Sequence, residues 1–133
     1  MTIQLGVATR NARLDAIETS VGTSALLTLR TGAQPADCAT ANSGTVISTI
    51  NCPSDWAAAA SAGAKAKSGT WSDSSADASG TPAHFRMHDS GGTVCHMQGS
   101  VGQGSGDLSL DNTTVVAGQA ITINTFTLTD GNA

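Results

Sequence analysis

Seven short runs, none longer than ten residues, set what this chain can fold into. They cover residues 24–31, 45–51, 65–72, 84–89, 93–101, 107–110 and 120–129. As a group they are rich in threonine, valine and isoleucine, and clusters of glycine, serine, aspartate and proline separate them. β-Branched side chains suit a pleated sheet, and the clusters supply turns. The spacing does not alternate strand with helix, as parallel βαβ units do. The expected fold class is therefore mainly β: an antiparallel β-sandwich or jelly-roll-like domain with one short N-terminal helix.

That helix is expected over residues 10–21. Leu14, Ile17 and Val21, with Ala12 and Ala16, recur at spacings of three and four. Thr9 or Asn11 can cap its start, and Gly22 can end it. Arg10, Arg13, Asp15 and Glu18 fall largely off the stripe. The narrow apolar face is expected to pack on a sheet of the same chain, with a neighbouring subunit as the other choice. A second helical turn is expected just after Pro53, with Ser54 as its cap and the alanines at 57–60 as its body. No internal repeat or domain boundary is visible. The expectation is a single domain, 1–133, with an N-terminal arm at 1–9, the helix at 10–21 and the β-sandwich at 24–129. Residues 72–82 and 99–106 read as surface loops. The short, almost uncharged ends, 1–9 and 130–133, are expected to be ordered by neighbouring subunits.

Residues 84–98 read as a hairpin. A three-residue loop, Ser90-Gly91-Gly92, offers a glycine for the left-handed position. It would set Met87 opposite Cys95 and Phe85 opposite Met97, with both apolar pairs on one face. His84, Arg86, His88, Val94, His96 and Gln98 would then share the other face, read as solvated. In the last run, Ile121 and Ile123 are odd-numbered while Phe126 and Leu128 are even. A β-bulge at Asn124-Thr125 would restore one buried face. A strand that changes sheets is the other reading.

Composition excludes several function classes. Six Lys and Arg stand against ten Asp and Glu, a formal net charge of −4. No basic cluster is available to track a phosphate backbone, so no nucleic-acid partner is expected. No stretch approaches the ~18 apolar residues of a membrane-crossing helix, so no membrane partner is expected. The first ten residues lack the basic start and long apolar run of a secretory signal. Three cysteines, Cys38, Cys52 and Cys95, make an odd count. Reduced thiols in a cytosol are the expectation, with a Cys38–Cys52 bridge left open.

The candidate chemistry is sparse. His84, His88 and His96 could approach a zinc ion from adjacent strands. Arg86, set between two of them and opposite the third, opposes a divalent cation. No metal, cofactor-binding or catalytic residue is therefore assigned, and no cofactor is expected. The chain lacks a G-x-S-x-G elbow and a phosphate loop, and Glu18 is its only glutamate. Cys95 reads as a small buried apolar residue, not as a nucleophile paired with His96. No enzyme is expected. Trp56 and Trp71 could stack on sugars, but four aromatics in all are too few for such a face. Packing is the expected role of both.

The residues carry one resemblance. Arg10–Thr19 (RNARLDAIET), Pro53–Trp56 (PSDW), Lys65–Trp71 (KAKSGTW), His84–Arg86 (HFR), Cys95–Gly99 (CHMQG), Leu110–Thr113 (LDNT) and Thr125–Ala133 (TFTLTDGNA) together make the chain similar to small structural proteins of tailed bacteriophages. The resemblance spans nearly the whole chain. Cys52 departs from it, standing where an apolar residue is expected. The resemblance implies a virion protein of the decoration or cement kind. Its implied partners are the major capsid protein and itself, as a homo-oligomer on the capsid surface, and it would be made in the bacterial host cytoplasm. A tail-tip or fibre component is the nearest alternative, and a carbohydrate-binding or adhesion module is the alternative of another class.

Overall fold

A computed structural model describes residues 3–131. Helix α1 (Val7–Val21) precedes eight strands: β1 (Leu26–Arg30), β2 (Val46–Asn51), β3 (Ala64–Ala66), β4 (Ser72–Asp73), β5 (His84–His88), β6 (Cys95–Gly102), β7 (Leu108–Leu110) and β8 (Ile121–Thr129). Hydrogen-bonded neighbours run β2-β1-β5-β6-β7-β8-β3, and β4 also pairs with β8. Among the described residues only β6 and β7 run parallel; the other pairs are antiparallel. The chain is thus mainly β with one short helix, and its strands form an open, curled mixed sheet. Register shifts at Leu29/Arg30, Met87/His88 and Ser109/Leu110 supply curvature, because each extra residue bends its strand and adds twist. The curl brings β4 back to β2: Ser48 Oγ donates to Asp73 Oδ2 at 2.6 Å, and Asp77 N–H donates to Ile47 O at 2.8 Å.

The inside of the curl is the apolar core. Leu27, Leu29, Ile47, Ile50, Met87, Leu108, Leu110, Ile121 and Ile123 are all buried there. Trp56, Trp71, Phe126 and Phe85 form an aromatic chain across it, with ring centroids 6.1, 5.2 and 5.7 Å apart in that order. Both tryptophans are fully buried, and their indole N–H groups donate to Gly22 O and Ser68 O. The expected packing role of the two is what the fold uses. Strand β8 carries the expected bulge: Ser109 pairs with Thr125 and Leu110 with Ile123, leaving Asn124 as the extra residue. Ile121, Ile123 and Phe126 are accordingly all buried.

Helix α1 starts earlier than 10–21. Gly6 sits at its N-cap without a side-chain cap, so Thr9 and Asn11 lie inside the helix, and 7–9 are not an extended arm. Gly22 ends it at φ 88°, a left-handed value that glycine tolerates without a Cβ penalty. Leu14 and Val21 are buried and Ile17 packs against the core, so the stripe docks on its own chain. The charged residues off the stripe do more than face solvent. Lys65 Nζ, on β3 and only 2% exposed as a residue, meets Asp15 Oδ1 at 2.8 Å and Glu18 Oε2 at 2.6 Å. Arg13 pairs with Asp130 at 3.2 Å, and Arg10 Nη1 donates to Asp130 O. Of the ends expected to contact neighbours, Met1, Thr2, Asn132 and Ala133 lie outside the described residues.

Other expectations are corrected. Residues 54–60 form no helical turn. They run beside 64–68 instead, with Ala58 N–H donating to Ala66 O and Ser68 N–H to Trp56 O. Burial of Trp56 and long-range pairing outweigh the weak local preference of alanine for helix. The single strand expected at 65–72 divides into β3 and β4 around Gly69, which has φ 69°. Residues 72–82 are not a free loop: Ala76 is buried, and its N–H donates to Gln119 O at 2.8 Å. The first part of 99–106 belongs to β6. No helix among the described residues is long and apolar enough to cross a membrane.

Candidate functional site

Strand β5 lies in the middle of the sheet between β1 and β6, and all five of its residues are buried. Phe85 and Met87 point into the core. His84, Arg86 and His88 alternate with them, so they belong to the opposite face. That face is not solvated, contrary to expectation. Residues 32–43, between β1 and β2, lie over it and present backbone carbonyls. Arg86 Nη1 donates to Thr40 O at 2.9 Å, and Nη2 donates to Cys38 O at 2.8 Å. Gln98 Nε2 donates to Pro35 O at 2.7 Å. His84 Nδ1 lies 3.0 Å from Gly32 O, a contact in which only the nitrogen can donate. A buried guanidinium is tolerable when its donors are satisfied, and carbonyl dipoles do that here without a carboxylate.

The hairpin that carries this face has a different register from the expected one. Met87 pairs with Met97, Arg86 with Gln98 and Phe85 with Gly99. The loop is longer because Asp89 organises it. Its carboxylate accepts from the N–H groups of Thr93 and Val94 and from the Thr93 hydroxyl, and these bonds hold its pKa below the usual carboxylate value. His88 then faces Cys95, and His96 is the extra residue. The bulge turns Cys95 out of the apolar face and onto the Arg86 side, where Arg86 Nε donates to Cys95 Sγ at 3.3 Å. Cys95 is half-buried, not a core residue.

Between the covering segment and the hairpin lies a cleft of about 210 Å³, lined by Cys38, Thr40, Arg86, His88, Thr93 and Cys95. Its electrostatics are cationic and soft. Burial, then Arg86 and Arg30, lower the His88 pKa, so the ring is neutral at pH 7, and its Nδ1 has no partner in the structure. Burial, and next the neighbouring Cys95 side chain, raise the pKa of the Cys38 thiol, while Arg86 pulls it back. Cys52 lies elsewhere, 4% exposed in the core, where burial pushes its thiol up to about 12. All three cysteines are free. The bridge left open between Cys38 and Cys52 is therefore not formed; the fold sets Cys38 beside Cys95 instead.

The three histidines do not converge. Among the described residues, no group of three or more His, Cys, Asp or Glu side chains is placed to hold a metal ion. The sugar-stacking role considered for Trp56 and Trp71 is closed by their burial. Two features were missed in the sequence: the Cys38–Cys95 contact and the carbonyl cover over Arg86. An arginine flanked by histidines on a strand reads as surface, and nothing in the side chains of 32–43 marks their carbonyls as its partners. No protein-family model, curated protein or solved structure matches the chain.

Proposed function

We propose that this chain is a structural protein of a tailed-phage particle, a decoration or cement protein that binds and stabilises the major capsid shell. The observation that carries this reading is where the stretches of resemblance fall. Arg10, Asp15 and Glu18 of α1, with Lys65 of β3, fasten the helix to the sheet. Trp56, Trp71 and Phe126 fill the core, and His84, Phe85 and Arg86 form the central strand. The resemblance thus rests on residues that build the framework, as expected if what is shared is a scaffold and not a reaction centre. A jelly-roll-like or sandwich description belongs to the same proposal; the curl of the sheet, with hydrogen bonds between β2 and the β4 region, supports it.

Self-association and shell binding would draw on apolar and small polar contacts. Ile3, Val7, Val94 and Val116 are exposed apolar side chains available for it. Only 16 side chains carry formal charge, so binding should persist at high salt, where exposed ion pairs are screened. Many modest interfaces repeated over a shell act together through avidity. The test is the copy number per purified virion, read from quantified protein bands. Hundreds of copies, in fixed ratio to the major capsid protein and retained in high salt, are expected. A handful of copies, or co-purification with detached tails, assigns the chain to a tail tip or fibre and overturns the capsid reading.

A further inference from the structure

The Arg86 cleft brings together two thiols that are far apart in sequence. Nε and Nη2 form one edge of the guanidinium, and that edge donates to Cys95 Sγ at 3.3 Å and to Cys38 O at 2.8 Å. One rigid, buried group thus holds the covering segment and the start of β6 side by side. The Cys38 side chain lines the same cleft as Cys95 and Arg86, and both neighbours act on its thiol: Cys95 raises its pKa and Arg86 lowers it. Both cysteines are half-buried and line a cleft open to solvent, whereas Cys52 is enclosed in the core.

We propose that Cys38 and Cys95 are a redox-active pair that closes to an intramolecular disulfide, stapling the 32–43 cover to the sheet. The oxidant is a small-molecule disulfide such as glutathione disulfide. Cys95 attacks first: its sulfur lies at the edge of the guanidinium, 3.3 Å from Arg86 Nε, whereas burial raises the Cys38 thiol and makes it the poorer first nucleophile. Its thiolate forms a bond to one glutathione sulfur and the glutathione S–S bond breaks. The departing glutathione thiolate takes up the Cys95 proton. Cys38 sulfur then attacks Cys95 sulfur in the mixed disulfide, and the second glutathione leaves with the Cys38 proton. Two protein thiols are oxidised and one glutathione disulfide is reduced to two glutathione thiols, so atoms and electrons balance.

The native protein is incubated with glutathione disulfide, quenched with acid, and analysed by thiol titration and peptide mass mapping. The expected result is a fall from three free thiols to one, with the Cys38 and Cys95 peptides joined within a single chain, and reversal by dithiothreitol. Cys52→Ser keeps the bridge. Cys38→Ser stops at the first step, with one glutathione held on Cys95. Persistence of all three thiols in the native protein, a bridge that includes Cys52, or a bridge only between two chains would each overturn the proposal.

Discussion

Replacement of Arg86 by methionine tests whether the guanidinium or the surrounding apolar packing holds the covering segment in place. Arg86 is 1% exposed and gives three hydrogen bonds, to Thr40 O, Cys38 O and Cys95 Sγ. Bonds from a charged donor contribute roughly 1.5–3 kcal/mol each in mutational series, so the gross loss is several kcal/mol. Two effects offset it. Methionine no longer has to keep a cation out of water, a desolvation cost of several kcal/mol. The freed carbonyls also border an open cleft, where water can bond them again. A net destabilisation of about 2–4 kcal/mol follows. Arg86→Lys should be at least as damaging, because an ammonium keeps the desolvation cost and cannot span the same partners. Urea unfolding gives the free energies. Hydrogen-exchange mass spectrometry should show protection lost first over residues 32–43. If R86M unfolds within ~0.5 kcal/mol of the parent with protection over 32–43 unchanged, the guanidinium does not hold the cover and the reasoning is wrong.

Phe126→Ala removes the ring that links Trp71 and Phe85 at 5.2 and 5.7 Å; thermal and urea unfolding should show a loss of about 3–5 kcal/mol, and a loss below ~1 would mean that the core collapses to fill the gap. The depressed pKa of His88 means that the unfolded chain takes up the proton first. Stability should therefore fall as pH drops below about 6.5, and His88→Gln should make urea midpoints between pH 7.5 and 5.5 less pH-dependent. Cys52, with its thiol pushed up to about 12 by burial, should resist iodoacetamide in the native protein while reacting at once in urea, as read by peptide mass spectrometry.

The parts of the fold that were legible in the sequence share one property: their cause is local. The bulge at Asn124 shows as a parity change among apolar residues, and Gly22 shows as a stop after the last residue of a helical stripe. The hairpin register was not legible, although its cause lies within six residues. Asp89 caps a longer loop than the glycines alone suggest, and His96 is then absorbed as a bulge. Lys65 was harder still. In a run of alternating lysines nothing distinguishes the one that meets Asp15 and Glu18 from its neighbour Lys67, because the partners lie on the helix some 50 positions earlier. The cleft was the least legible part, since backbone carbonyls, which every residue carries, solvate its central cation.

The strand order also governs when this chain can fold. β1 lies against β5, with Thr28 and Arg86 58 positions apart, and among the described strands β3 and β4 pair with β8 alone. The β1–β2 and β5–β6 hairpins and the β7–β8 pair join consecutive strands and can form early. Joining β1 to β5 and β8 to β3 and β4 must wait for long loops to close, which slows completion of the sheet. During synthesis, β3 can pair on one side with residues 57–61, but its other edge, and the edge of β4 that meets β8, stay open until residues 121–129 have left the ribosome. Their shortness, three and two residues, limits what those edges can template in the meantime, since a short edge offers few unpaired groups to another chain. β8 thus acts as a timing element: its arrival pairs β3, β4 and β7 in one event, and a chain truncated before Ile121 should collapse without closing the sheet.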